Sequence, residues 1–135
     1  DKYKLVHSKA KDTIITKWPK DYLLYGWFVK YLKGNQNLHI HPDGWVSGCF
    51  YINMPKKLTK NEGSIKFSSQ GFNYPILNQN KVQKLEYRPV PGDIVLFPSS
   101  LFHGTEPFAS KEERLVIAFD VRPKNDSTYA DSWQR

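Results

Sequence analysis

Three histidines stand in a pattern that suits a shared metal ion. The stretch N-L-H-I-H-P-D-G-W, residues 37–45, contains His39 and His41, two of only four histidines in the chain. On a β-strand, residues i and i+2 point to the same face and lie about 6.6 Å apart along it. Two imidazoles at that spacing can converge on one ion, and His103 is the candidate third ligand from a distant segment. The pattern predicts a metal site.

Two ligand sets fit these residues. One is His39, His41 and His103, which is an all-histidine site. The other is His41, Asp43 and His103, which has the two histidines and one carboxylate of many oxygen-activating iron sites. All-histidine sites bind iron, copper or zinc, so the pattern alone does not fix the metal. A structural or surface role is the alternative for an isolated H-x-H.

Arg114 is the candidate for binding an anion beside the metal. It lies eleven residues after His103, at the start of the apolar strand R-L-V-I-A-F-D-V. Arginine recognises a carboxylate through two parallel hydrogen bonds. Burying its charge in a strand is costly without an anionic partner. We therefore predict that Arg114 holds a carboxylate inside the fold, the alternative being an arginine exposed at the strand end.

Short strands must position these side chains, because proline and glycine turns punctuate the whole sequence. A long loop or lid is expected over residues 69–83 and a charged loop over 109–113. Helical periodicity is absent beyond a turn or two, except in the first dozen residues. The pattern predicts an all-β fold in the form of a double-stranded β-helix, a small jelly-roll or cupin-like barrel. The strands are expected at 12–18, 22–32, 37–41, 45–53, 64–68, 94–97 and 114–121, with the segment 84–90 leading into a turn before 94–97.

The composition is typical of one globular domain. The chain has 135 residues, 39% of them hydrophobic and 15% aromatic, and we expect a single domain over 1–135 with its core at about 22–123 and a polar tail at 124–135. The single cysteine, Cys49, excludes an intrachain disulfide, and no stretch reaches the roughly 18 apolar residues of a membrane span. A cytoplasmic protein without a membrane partner is expected. The net charge of +7 is spread over lysines without a dense basic block, which disfavours a nucleic-acid partner.

Three segments together resemble a known family. They are H-I-H-P-D-G-W-V-S-G-C-F-Y-I, P-G-D-I-V-L-F-P-S-S-L-F-H-G-T-E-P-F and E-R-L-V-I-A-F-D-V. They are similar to the 2-oxoglutarate/Fe(II)-dependent oxygenases sometimes appended to tetratricopeptide-repeat proteins, relatives of the prolyl 4-hydroxylase group. The resemblance covers about residues 22–123. It implies iron at one mouth of the barrel, with His103 as the distal histidine and Arg114 as the anchor of the 2-oxoglutarate C5 carboxylate.

The first motif departs from the wider superfamily, which uses H-x-D/E where this chain has H-x-H-P. The spacing to the following strand favours His39 and His41 as the first two ligands, with His41 in the carboxylate position. Tyr51 and Ser47 share a face of that strand and are candidates to hydrogen-bond the co-substrate, or else line the barrel.

The resemblance implies a dioxygenase of the hydroxylase type. Its cofactors would be Fe(II) and 2-oxoglutarate, its other co-substrate would be dioxygen, and a peptide side chain is the expected substrate class. The alternative is a non-catalytic or cupin-type β-barrel that binds a metal through its histidines.

Overall fold

The described part of the chain consists of β-strands, as expected from the sequence. The computed structural model describes residues 9, 18–71, 74–75 and 82–124. Most of the strand predicted at 12–18, more than half of the 69–83 loop and nearly all of the 124–135 tail lie outside these residues. No helix long and apolar enough to cross a membrane occurs in the described segments. The six strands are β1 (Tyr22–His39), β2 (Val46–Asn53), β3 (Ile65–Ser68), β4 (Lys84–Tyr87), β5 (Ile94–Pro98) and β6 (Phe102–Pro123).

Strand β6 lies at the centre of the fold. One of its edges pairs with β1 from Pro123 back to His103, and the other pairs with β3 at its start and with β2 at its end. The outer strands β4 and β5 pair with β3 and β2, which gives the order β4-β3-β6-β2-β5 with β1 beside β6. The sheet closes on itself, because Phe67 of β3 and Phe97 of β5 lie far apart in this order yet have ring centroids 5.1 Å apart. This closed antiparallel sheet confirms the predicted double-stranded β-helix.

Two predicted interruptions of the strands are absent. Gly34-Asn35 lies between the separate strands expected at 22–32 and 37–41, and residues 109–113 were expected to form a loop, but β1 and β6 both continue through these segments. The ladder bends there by register shifts between Tyr31 and Lys33 and between Gly34 and Gln36. Gly34 has a φ of 133°, which only glycine adopts readily, so it fits the irregular pairing at the bend. Long-range pairing therefore overrides the local turn and loop signals.

The interior of the barrel contains two small hydrophobic clusters. Tyr51, Met54 and Val116 form one, and Ile65, Phe67 and Phe97 form the other. The outer face of the sheet also carries large apolar side chains, which are exposed. Examples are Leu24 at 68%, Phe28 at 73%, Ile94 at 61% and Leu96 at 62% exposure.

Substitutions of Ile65 and Ile94 test which face of the sheet stabilises the barrel. Ile65→Ala removes a side chain that is 3% exposed, and we expect it to lower the free energy of unfolding by about 2–5 kcal/mol. Ile94→Ala removes the same atoms from a side chain that is 61% exposed, and its effect should stay within about 0.5 kcal/mol. Urea unfolding followed by circular dichroism measures both. Equal losses would contradict the interior assigned to the barrel.

Cys49 is partly buried and packs against both clusters. Burial raises the pKa of Cys49 from 9.0 to about 11. At pH 8 the thiolate fraction should then fall by about two powers of ten, and alkylation of the native chain should be at least about 100-fold slower than that of the unfolded chain. Mass-spectrometric time courses with iodoacetamide, in buffer and in urea, measure the two rates. A native rate near the unfolded one would place the thiol in contact with solvent.

Candidate metal centre

The structure brings three of the four histidines together. One potential ligand atom from each of His39, His41 and His103 lies within 4.8 Å of the others. The ring centroids are 4.3 Å apart for His39 and His103, 4.9 Å for His41 and His103, and 5.2 Å for His39 and His41. His103 is buried, and the other two rings are partly exposed. Three imidazoles at these distances can coordinate one ion from one side.

Hydrogen bonds on the far side of each ring determine which nitrogen is available. The Nδ1 atoms of His39 and His103 lie 2.8 Å and 3.0 Å from the carbonyl oxygens of Asn37 and Leu101. The Nδ1 atom of His41 lies 2.6 Å from a carboxylate oxygen of Asp120. These oxygens only accept, so each Nδ1 carries the proton and each neutral ring keeps its lone pair on Nε2. A neutral ring at each of the three positions would therefore offer Nε2 to a metal.

The backbone holds the histidines at the mouth of the barrel. His39 ends β1 and pairs directly with His103 of β6. A side chain at the neighbouring Gly104 would place its Cβ 2.4 Å from the Gln36 carbonyl oxygen, so only glycine permits this close approach of the two strands. The amide of His41 donates to the Ser99 carbonyl at 3.0 Å, which fixes the loop after β1.

Asp43, the alternative carboxylate ligand, lies outside the group of three histidines. Its chain turns away after His41, since the Gly44 amide donates back to the His41 carbonyl at 3.1 Å. The Asp43 carboxylate instead lies 3.8 Å from the Arg122 guanidinium. The structure thus places the three histidines together and the Asp43 carboxylate beside Arg122.

Burial perturbs the acid–base equilibrium of His103. Burial lowers its pKa from 6.5 to about 4, outweighing the hydrogen bond to Leu101, and the neighbouring histidines lower it further. A lowered histidine pKa means that the ring stays neutral at every pH above about 4. His103 is thus in the metal-binding form throughout the physiological range.

The same cavity contains a buried cation. Arg114 is 3% exposed, and its Nε donates to the Gly63 carbonyl at 3.3 Å. Among the described residues, no carboxylate forms an ion pair with it. Desolvation lowers the pKa of Arg114, yet a guanidinium stays charged in proteins. The position therefore suits an anionic ligand.

Tyr51 supplies a neutral donor beside this cation. Its ring lies 5.3 Å from the guanidinium carbon of Arg114, and its side chain is 0% exposed. Its hydroxyl is buried without a hydrogen-bond partner among the described residues. Burial raises the pKa of Tyr51 well above its ordinary value, so the hydroxyl keeps its proton. A cation and an unused O–H donor side by side fit a carboxylate with two acceptor oxygens.

Ser47, the other predicted co-substrate contact, lines the cavity but bonds elsewhere. Its hydroxyl donates to Asp120 Oδ1 at 2.7 Å and lies 2.8 Å from the Ser99 hydroxyl. The contact of Ser47 with a co-substrate stays a prediction, because the hydrogen bonds of its hydroxyl in the structure are made with protein side chains.

Asp120 is the residue of this site that the sequence analysis passed over. It is 1% exposed and accepts hydrogen bonds from His41, Ser47 and Arg122. Burial alone would raise its pKa, but the bonds from His41 and Ser47 lead a set of contacts that hold the pKa below its usual value. The sequence contained a signal for this residue. Side chains alternate between the two faces of a strand, and Arg114 and Asp120 are an even number of residues apart, so they share a face of β6.

The cavity is continuous from the histidines to the arginine. Apolar and aromatic side chains form its walls, which limits the access of water. The lining residues other than those already discussed include Trp27, Val29, Gln36, Ile65, Phe97, Thr105, Val116 and Ala118.

Solved structures share this fold at low sequence identity. A prolyl-4-hydroxylase from Pseudomonas putida is 20% identical, with a TM-score of 0.56 over 75% of this chain and 52% of that one. HygX from Streptomyces hygroscopicus with iron bound is 16% identical, with a TM-score of 0.54 over 76% of this chain and 59% of that one. A prolyl hydroxylase from Trichoplax adhaerens is 22% identical, with a TM-score of 0.51 over 85% of this chain and 54% of that one. The chain thus spans between half and three fifths of the length of these proteins.

The sequence itself identifies the family. No curated protein matches this chain. The family described as "Putative 2OG-Fe(II) oxygenase" matches residues 26–120, which include the three histidines, Arg114 and Asp120. The match covers more than half of the chain, and the chain belongs to this family of 2-oxoglutarate/Fe(II) oxygenases.

Proposed function

We propose that this chain carries the active site of a dioxygenase of the hydroxylase type that depends on Fe(II) and 2-oxoglutarate. The observation that carries the proposal is the buried Arg114, which has no acidic partner among the described residues and lines the same cavity as three convergent histidines. A site that only binds a structural metal has no need of a buried cation. A dicarboxylate that reaches from the metal to the guanidinium uses both features.

The residues fit an iron ion in composition and protonation. His39, His41 and His103 would hold it through their Nε2 atoms, which the hydrogen bonds at Nδ1 leave available. When bound, iron together with 2-oxoglutarate supplies the activation of dioxygen that hydroxylation requires. The chain contributes the orientation of the ligands and walls that exclude water.

Arg114 and Tyr51 would hold the far carboxylate of 2-oxoglutarate. The guanidinium offers two parallel N–H donors, and the Tyr51 hydroxyl offers the O–H that has no partner among the described residues. Both groups are buried, so their hydrogen bonds to an anion are not weakened by competing water. An anion in this position would also satisfy two groups whose burial is otherwise costly.

A peptide side chain is the substrate class that we propose. Support comes from the Trichoplax adhaerens prolyl hydroxylase, which was crystallised with a peptide fragment of hypoxia inducible factor. HygX, by contrast, was crystallised with hygromycin B bound, so the shared fold also accommodates a small molecule.

The cytoplasmic location remains a prediction from the single cysteine.

The rival is a cupin-type or non-catalytic barrel with a histidine-bound metal. Its three-histidine site would look the same, but it gives Arg114 no ligand. Binding of 2-oxoglutarate therefore separates the two functions.

The first test concerns the metal ligands. His39→Ala, His41→Ala and His103→Ala should each weaken Co(II) binding by more than about 100-fold, because losing a ligand costs more than losing its outer hydrogen-bond partner. Asp43→Asn should bind Co(II) like the wild type. Titration of the metal-free protein, followed by the visible absorption of bound Co(II), measures all four affinities. If Asp43→Asn weakened Co(II) binding and His39→Ala did not, the result would support His41, Asp43 and His103 as the ligands instead.

The second test concerns the co-substrate. Anaerobic addition of Fe(II) and 2-oxoglutarate should produce the visible charge-transfer band of a chelated keto acid, which fades when oxygen is admitted. Arg114→Ala should abolish 2-oxoglutarate binding while leaving Fe(II) affinity nearly unchanged, because only the carboxylate anchor is lost. Tyr51→Phe should weaken binding by about tenfold, the effect of one hydrogen bond of about 1.5 kcal/mol.

Arg88→Ala is the matched control for the arginine. Arg88 is exposed and donates to the carbonyls of Thr59 and Leu58, outside the cavity. Arg88→Ala removes the same charge as Arg114→Ala. The concentration of 2-oxoglutarate that gives half of the maximal charge-transfer band should nevertheless equal that of the wild type. Metal binding without any band in the wild type would support the cupin-type or structural alternative.

A further inference from the structure

We infer that Asp120 is a positioning residue for the metal centre, acting through His41 to orient that ligand and to supply the site with negative charge. The inference rests on the proposed function, since it concerns how the same site holds its metal. Three neutral imidazoles bring no charge to a divalent cation. Asp120 is the carboxylate that bonds directly to one of them.

The geometry places Asp120 behind His41 and away from the metal. Its Oδ1 lies 2.6 Å from Nδ1 of His41, which is the nitrogen on the opposite side of the ring from the one available to the metal. Asp120 is 1% exposed, so the bond is shielded from water. At this position the carboxylate is a partner of the ligand and not itself a ligand.

The three histidines are unequal in this respect. His39 and His103 donate to backbone carbonyls, whereas His41 donates to a carboxylate at the shortest of the three distances. A charged acceptor strengthens a hydrogen bond and makes the ring a more basic ligand. His41 should therefore be the strongest donor to the metal, and the charge of Asp120 should partly offset that of the cation.

Further contacts fix the carboxylate in this orientation. Ser47 donates to Oδ1 at 2.7 Å and Arg122 donates to Oδ2 at 3.1 Å. Arg122 also lies over the ring of Tyr25, with its guanidinium carbon 4.5 Å from the ring centroid. A carboxylate held from both oxygens cannot swing away from His41, which is what orientation of a ligand requires.

Asp120→Asn tests the inference because it keeps the shape and an acceptor but removes the charge. We expect Co(II) affinity to fall by about 10- to 100-fold, with an unchanged far-ultraviolet circular dichroism spectrum. The visible spectrum of bound Co(II) should shift as well, since the ligand field of His41 changes. Asp21→Asn is the matched control, because Asp21 is exposed and lies outside the cavity. Wild-type Co(II) affinity in folded Asp120→Asn would overturn the inference.

A second measurement needs no variant, in case Asp120→Asn fails to fold. Long-range ¹H–¹⁵N spectra of the metal-free wild type in alkaline buffer report which nitrogen of His41 carries the proton. We expect a proton on Nδ1, with a strongly downfield resonance from its short bond to Asp120. A proton on Nε2 would overturn the inference. Neither result depends on 2-oxoglutarate, so failure here is distinct from a missing charge-transfer band, which would overturn the proposed function.

Discussion

The pairing of β6 along both of its edges is the constraint on which the site depends. This strand of 22 residues belongs to both halves of the closed sheet and carries His103, Arg114 and Asp120. β1 lies along one edge and brings His39 opposite His103, while β2 lies along the other and brings Ser47 opposite Asp120. Residues that are distant in sequence thus become neighbours through main-chain hydrogen bonds. A shift of one residue in this ladder would turn the inward side chains of β6 to the outside.

Much of the site follows from residue type and spacing, because a strand has a fixed two-residue period. That period indicated that the two rings of the H-x-H motif lie together. The burial of Arg114 removes the alternative of an arginine exposed at the strand end, while its binding of an anion stays a prediction. The spacing to the following strand favoured His39 over Asp43 as a ligand, and that choice stays a prediction. Pro42 and the turn that closes on Gly44 carry Asp43 towards Arg122. Because β1 ends at His39, His41 and Asp43 both lie beyond the strand, and the turn that closes on Gly44 separates them.

Tertiary pairing explains the predictions that differ from the structure. The segment A-S-K-E-E has the composition of an exposed loop, and Gly34-Asn35 that of a turn. Both belong to the same bend of the β1–β6 ladder, where Lys33 lies opposite Ala109 and Gly34 opposite Phe108. Neither segment contains a local signal for this, because each supports the other's extended conformation. Asp120 was missed for a related reason. From the sequence, a single acid in an apolar strand is expected to be exposed. Its burial can be predicted only when the partners of its carboxylate are known, and these lie on β2 and in the loop after β1.

The two buried charges of β6 have a consequence for how an extended anion would lie in the cavity. Arg114 and Asp120 occupy the same inward row, six residues apart, with opposite sign and little exposure to water. They create an electric field along the strand whose direction is fixed by the fold. The charge of Arg114 favours a carboxylate at its end of the row, whereas the charge of Asp120, partly offset by Arg122, disfavours one at the other end. A dicarboxylate with a keto group beside one carboxylate would then place its plain carboxylate at Arg114 and its keto-acid end near the histidines, where a metal ion can offset the charge.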